Sequence, residues 1–196
     1  MLRHLLCLLA GLFMAALAHA QAEHSLELLR EQGRDEIIPR YLLQDPYGRP
    51  VSNEDFRGRF QLIAFGYTFC PDVCPTTLVE MASLLKSLGP RAGKLQAIFI
   101  TVDPERDTGK VLKTYTEFFD ARILGLTGSP QLIRRVADNF RIRYARVVNP
   151  GNGPYAVDHS AGMTLLGPDG RVLRKYAFGT PTDDILTSLK DLLPER

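Results

Sequence analysis

The chain has 196 residues, 45% of them hydrophobic, and a formal charge of +2 at pH 7. A length of this order suits one domain, which buries roughly 70% of its unfolded surface and needs no covalent staple to hold a core. So slight a basic excess, with no run of Lys or Arg to concentrate it, gives no footing for a nucleic-acid partner.

The chain opens with a targeting pattern. Arg3 and His4 form a short polar head, Leu5 to Ala18 an apolar run, and Ala18-His19-Ala20 a small-residue cleavage site, so residues 1–20 read as a signal peptide. The run falls short of the roughly 20 residues that a spanning helix needs, so cleavage after Ala20 is expected, with an uncleaved anchor as the alternative. Cys7 leaves with this segment. Residues 21–38 form a polar stretch with some helical character at Leu26, Leu28 and Leu29, and its His24 is expected to be solvated. Residues 39–196 carry the pattern of a folded domain.

In that domain Tyr41-Leu42-Leu43 reads as a short strand, Pro46 to Pro50 as a turn, and Ser52 to Phe56 as a capped helical turn that Gly58 ends. Phe60 to Gly66 is a nearly continuous apolar run of strand length, the mark of a strand covered on both faces. Leu78, Met81, Ala82, Leu85 and Leu88 fall at helical spacing up to Gly89-Pro90, which makes Met81 core. Leu95 to Val102 is a second buried strand, closed by Asp103-Pro104. Thr108 caps a helix carrying Val111, Leu112, Tyr115, Phe118 and Phe119; Ile123 to Leu126 is a strand; Ser129-Pro130 opens a helix through Phe140. Antiparallel pairing is expected beyond: alternation near Tyr144 to Val148, a loop from Asn149 to Pro154, then Met163 to Leu166 and Arg171 to Phe178 across Pro168-Asp169-Gly170. Thr180-Pro181 starts a closing helix with Ile185, Leu186, Leu189 and Leu192 on one side. The order hairpin, βαβα with a parallel pairing, helix, hairpin, helix fits a thioredoxin-like α/β sandwich around a central mixed sheet.

The chemistry gathers at Cys70 and Cys74, between the first buried strand and its helix. Export places them in an oxidising periplasm, so an inert disulfide is the plain reading. Closing so short a loop, however, contributes only ~2 kcal/mol in the chain-entropy model. Pro75 suits the first helical position, so Cys74 is expected at the N-cap, where the helix end favours its thiolate, and Cys70 one turn earlier and more exposed. Sites in open α/β sheets lie at the carboxyl ends of parallel strands, and Cys70 and Asp103 both follow such strands. His159 precedes Met163 to Leu166, and an antiparallel course would bring it to the same edge, with Asp158 beside it. Two thiolates and an imidazole suit Cu(I) or Zn(II); structural zinc wants four ligands, whereas copper tolerates three. The expected metal ligands are therefore Cys70, Cys74 and His159. Asp72 and Asp103 are expected in supporting or partner-facing positions, and Met163 in the core rather than as a weak axial donor.

Four blocks in order resemble the SCO/SenC family of copper chaperones: Gly66-Tyr67-Thr68-Phe69-Cys70-Pro71-Asp72-Val73-Cys74-Pro75, Thr101 to Thr108, Leu126-Thr127-Gly128, and Val157-Asp158-His159-Ser160. The resemblance runs from about residue 40 to the C-terminus. It implies a thioredoxin-like fold and copper, as Cu(I) or Cu(II), held by the counterparts of Cys70, Cys74 and His159. It further implies work on the dinuclear copper centre of cytochrome c oxidase subunit II, by delivering copper or by reducing that subunit's cysteines, and exchange with other periplasmic copper carriers. Family members often carry an N-terminal membrane helix, from which the short leading segment here departs. Membrane contact is accordingly expected only through the partner or an uncleaved segment. The competing function is a periplasmic thiol-disulfide oxidoreductase with Cys70 and Cys74 as redox thiols. Redox thioredoxins, though, carry C-x-x-C and a proline before the facing strand, where this chain has C-x-x-x-C and Ser160-Ala161-Gly162.

Overall fold

The computed structural model describes Gln21, residues 38–148, residues 153–193 and Glu195. The expected signal peptide, His24 and nearly all of the polar stretch lie outside the described residues, as do residues 149–152 of the expected loop. Among the described residues no helix is long and apolar enough to cross a membrane.

The described chain begins with a hairpin of β1 (Leu42–Gln44) and β2 (Pro50–Ser52). Its turn is held by the buried Asp45, whose Oδ1 accepts from the backbone N–H of Tyr47 at 2.8 Å and of Arg49 at 2.9 Å. The side chain thus takes over donors that a tight turn leaves unpaired. A 3-10 turn, Asn53–Phe56, follows under a reciprocal cap: Ser52 Oγ accepts from Glu54 N, and Asp55 accepts from Ser52 N.

The strand β3 (Phe60–Gly66) is buried at every residue. It pairs in parallel with β4 (Leu95–Thr101), which pairs in parallel with β5 (Ile123–Leu126). On its other edge it runs antiparallel to β8 (Gly162–Leu166), which pairs with β9 (Val172–Ala177). The sheet order is β5-β4-β3-β8-β9. A central strand flanked on both edges and covered on both faces has no solvent side, so period-two alternation is absent and the run reads as uniformly apolar.

Among the described residues, four helices pack on this sheet: α1 (Val73–Ser87), α2 (Gly109–Phe119), α3 (Pro130–Phe140) and α4 (Thr182–Leu192). Thr108 and Ser129 cap α2 and α3 as the sequence predicts, each accepting from a backbone N–H three residues on. One face of the sheet meets α1, α2 and α4. There Phe99 packs on Tyr115 of α2 with centroids 6.0 Å apart, and the Tyr176 and Ser188 hydroxyls are 2.9 Å apart. The opposite face meets α3 and the first hairpin, with Phe65 against Phe140 at 5.3 Å and Tyr41 Oη donating to Gln61 Oε1 at 2.7 Å. Met81 and Met163 are both core residues, at 0% and 4% exposure.

One strand escapes the sequence reading. Ala156–His159 forms β7, which pairs antiparallel with β6 (Tyr144–Val147) in a separate two-stranded sheet, Tyr144 opposite His159. Its four residues include Asp158 and His159 and only one fully buried side chain, Val157, so they carry too little alternation to stand out.

Candidate metal centre

The cysteine loop grows out of the end of β3. The Gly66 carbonyl accepts from Val102 N at 2.8 Å, which keeps β3 and β4 in register to their carboxyl ends. Gly66 is required here by packing: an added Cβ would lie 2.7 Å from Cys74 Sγ and within 3 Å of two ring carbons of Phe99. The chain then turns back, Cys70 N donating to Tyr67 O at 3.3 Å.

The helix starts two residues earlier than expected. Its N-cap is Asp72, with no side-chain cap, and Cys74 is the second helical residue instead of the cap. Pro75 is still accommodated, because the first backbone bond inside the helix is Thr76 N to Asp72 O, and a ring nitrogen before that point removes no helical bond. As a consequence the roles of the two sulfurs are exchanged relative to expectation. Cys70 Sγ accepts from the Cys74 N–H at 3.5 Å and so sits at the helix N-terminus. Cys74 is 1% exposed, and burial pushes its thiol well above the usual range. The expected order of exposure stands: Cys74 is buried and Cys70 half-buried, and both are free thiols.

His159 closes the site from β7. Its Nε2 lies 3.4 Å from Cys74 Sγ. Its Nδ1 donates to the Ser160 carbonyl at 3.0 Å, which leaves the Nε2 lone pair facing the sulfurs. That orienting bond comes from the backbone; Asp158 alternates to the solvent face and is exposed. The ring also meets that of Tyr67 in a T-shaped contact, with centroids 6.0 Å apart. Ligand atoms of Cys70, Cys74 and His159 all lie within 4.8 Å of one another. An ion bonded to thiolate at about 2.3 Å and to imidazole at about 2.0 Å holds such atoms about 3.5–4.0 Å apart, so the three groups fit one soft metal ion with little movement.

The two aspartates expected near the cysteines part company. Asp72 is exposed at the helix start. Asp103 is 2% exposed and pairs with Arg106 and with Tyr155 Oη, the latter at 2.8 Å. A third, Asp107, is fully buried and was given no role by the sequence reading. Its carboxylate accepts from Thr68 Oγ1 at 2.6 Å, Thr68 N at 3.0 Å and Thr101 Oγ1 at 2.7 Å. Burial still holds that carboxyl above the ordinary aspartate range. Tyr67 and Arg106 stand within the family blocks but have no role in the sequence reading, and Tyr155 lies outside those blocks. Arg106 and Tyr155 meet across 49 residues, a separation that leaves no local pattern.

The SCO1/SenC family model matches residues 29–194. The chain belongs to the SCO1/SenC family. Among relatives, it is 36% identical over 190 residues to the mitochondrial SCO2 homolog of Mus musculus, covering 92% of this chain and 73% of that one. Among solved structures, it is similar to Bradyrhizobium japonicum ScoI with copper bound, at 38% identity and a TM-score of 0.72, covering 79% of this chain and 98% of that one. It is also similar to BsSco, a member of the Sco family of cytochrome c oxidase assembly proteins in which a disulfide switch has been identified, at 32% identity and a TM-score of 0.61, covering 80% of this chain and 93% of that one. The thioredoxin-like fold expected from the element order is the fold of these Sco proteins.

Proposed function

We propose that this Sco domain takes up one copper ion between Cys70 Sγ, Cys74 Sγ and His159 Nε2 and passes it, as cargo, into the dinuclear copper centre of cytochrome c oxidase subunit II. The observation that carries the reading is the convergence of those three soft donors from α1, its preceding loop and β7 to within 4.8 Å. Both thiols must be reduced and must lose their protons for the ion to bind. Buried Cys74 and the Ser160-held imidazole form the fixed part of the site, and half-buried Cys70 is the ligand that an incoming partner thiolate reaches first. Transfer then proceeds by ligand exchange at the exposed sulfur.

Delivery is favoured over reduction of the subunit's cysteines by the imidazole 3.4 Å from Cys74, because disulfide exchange has no need of it. The disulfide switch of BsSco supports a second state of the same cysteine pair, in which oxidation removes both thiolate ligands. The protein is then mainly a metal-binding assembly factor. Residues 1–20 serve as signal peptide or anchor, residues 21–38 as a connecting segment, and residues 39–196 as the copper domain on the periplasmic side of the inner membrane. The leading segment and the mitochondrial relative support that location.

The test is to load the reduced mature protein with Cu(I) under anaerobic conditions and titrate it against a chromogenic chelator. His159→Ala should lower affinity by about tenfold or more, equivalent to about 1.4 kcal/mol. Unchanged affinity would remove the imidazole from the site, and turnover on a disulfide substrate without copper binding would favour the oxidoreductase.

A further inference from the structure

For the three groups to share one ion, elements far apart in the chain must be held at bonding distance. Cys74 and His159 lie 85 residues apart, one at the start of α1 after the central strand β3 and the other on a separate two-stranded sheet. Between them runs the loop from Asp103 to Asp107, joining β4 to α2. It grips both halves.

Its C-terminal end holds the cysteine side. Asp107 accepts from the backbone N–H and the hydroxyl of Thr68, two residues before Cys70, and from Thr101 Oγ1 at the end of β4. Buried donors and acceptor are satisfied together, which ties the start of the cysteine loop to the sheet.

Its N-terminal end holds the histidine side. Arg106 pairs with Asp103, donates through Nη1 to the Tyr155 carbonyl at 3.0 Å, and lies over the Tyr155 ring with its central carbon 3.7 Å from the centroid. Asp103 in turn accepts from Tyr155 Oη at 2.8 Å. Tyr155 immediately precedes β7, the strand that ends at His159. From the other side Arg146 of β6 stacks on the same ring at 4.1 Å while pairing with Glu105 of the loop. Arg106 also lies 4.8 Å from the Phe69 ring and 5.6 Å from the Tyr67 ring, both in the segment just before Cys70. Its Nη2 is buried with no hydrogen-bond partner among the described residues. A guanidinium held in that way is fixed by ring faces and one carboxylate, a planar arrangement that an ammonium does not reproduce.

We propose that Arg106 and Tyr155 are positioning residues for copper, which clamp the β6–β7 hairpin to the Asp103–Asp107 loop and so bring His159 to the cysteine pair. The proposal rests on the three-ligand copper reading. Neither residue touches a ligand atom; each acts through the placement of one ligand. Loss of the clamp therefore removes the benefit of the imidazole and leaves the thiols as they are.

The test is a double-mutant cycle on Cu(I) affinity, combining Tyr155→Ala or Arg106→Ala with His159→Ala. Each clamp variant should weaken copper binding by about 10–100-fold while His159 is present, the range seen when groups that orient metal ligands are removed. In the His159→Ala background the same substitution should change affinity by less than about twofold. The Cys70/Cys74 reduction potential should stay unchanged in Tyr155→Ala. Lys113→Ala, on the exposed side of α2, serves as the control for a surface ion pair. Equal losses in both backgrounds would mean a general weakening of the fold and would overturn the proposal, as would unchanged affinity in both clamp variants. Should either alanine variant fail to fold, Tyr155→Phe deletes only the hydroxyl bound to Asp103, and it should show a smaller loss that again disappears without His159; a loss that persists overturns the clamp. Absence of copper binding by the unsubstituted protein overturns the copper reading itself, whereas tight binding there with unaffected clamp variants overturns only the clamp.

Discussion

Replacing Gly66 with Ala asks whether the end of β3 is shaped to take a sulfur atom against its backbone. A methyl group at that position would lie 2.7 Å from Cys74 Sγ and 2.8 and 2.9 Å from two ring carbons of Phe99. Carbon atoms in contact rest at about 3.5–4.0 Å, so all three approaches are well inside the repulsive wall. Neither neighbour has room to retreat, since Phe99 is 0% and Cys74 1% exposed. Forcing a methyl group into a core so packed costs about 1–3 kcal/mol. For a domain of this size each kcal/mol lowers the unfolding midpoint by about 2–4 °C. The displaced sulfur is the one 3.4 Å from His159 Nε2, so Cu(I) affinity should fall together with stability. The assay is thermal unfolding of the reduced protein followed by circular dichroism, alongside the chelator titration. Gly93→Ala is the control, because an added Cβ there meets nothing within 4 Å. A Gly66→Ala protein that melts with the control and binds copper as tightly as the unsubstituted protein would refute the reasoning.

Two further outcomes follow from residues outside the proposed metal site. Burial raises the Asp107 carboxyl in the folded state, so the folded protein keeps a proton that the unfolded chain loses; the contribution to stability is full below the ordinary aspartate value and is lost as pH rises through the raised folded one. Asp107→Asn removes that titration, and urea unfolding at a series of pH values should show a flatter dependence in this window; an unchanged slope would place the titration on another group. Arg141 closes α3 in the left-handed region, at φ 57° and ψ 39°, with its N–H donated to the carbonyls of Ala137 and Asp138. Arg141→Gly relieves a backbone cost of about 1–2 kcal/mol for a non-glycine residue, part of which returns as lost chain entropy, and should raise the urea midpoint slightly; a lower midpoint would show that the Arg141 side chain outweighs the strain.

Much of this architecture follows from local chemistry. The uniform burial of β3 was legible in Phe60 to Gly66, and the caps of α2 and α3 in Thr108 and Ser129, because each depends on groups a few residues apart. The start of α1 does not follow in that way. Pro75 is compatible with any of the first helical positions, and residue types alone do not choose among them, so the expected cap at Cys74 gives way to one at Asp72 and the Cys74 thiol lies buried instead of capping the helix end. Strand β7 was missed because its pairing with β6, and not its own pattern, makes it a strand.

The sequence by itself determined that two cysteines stand four apart directly after a buried strand, that His159 shortly precedes a later apolar strand, and which family's motifs surround them. Those facts depend on residue type and order. Only the tertiary structure decided that Cys70 rather than Cys74 receives the helix-end N–H, that Ser160 rather than Asp158 orients the imidazole, and that the Asp103–Asp107 loop joins the two halves. Those facts depend on distances between residues far apart in the chain, and such distances are set by packing of whole elements, which leaves no periodic trace in the sequence.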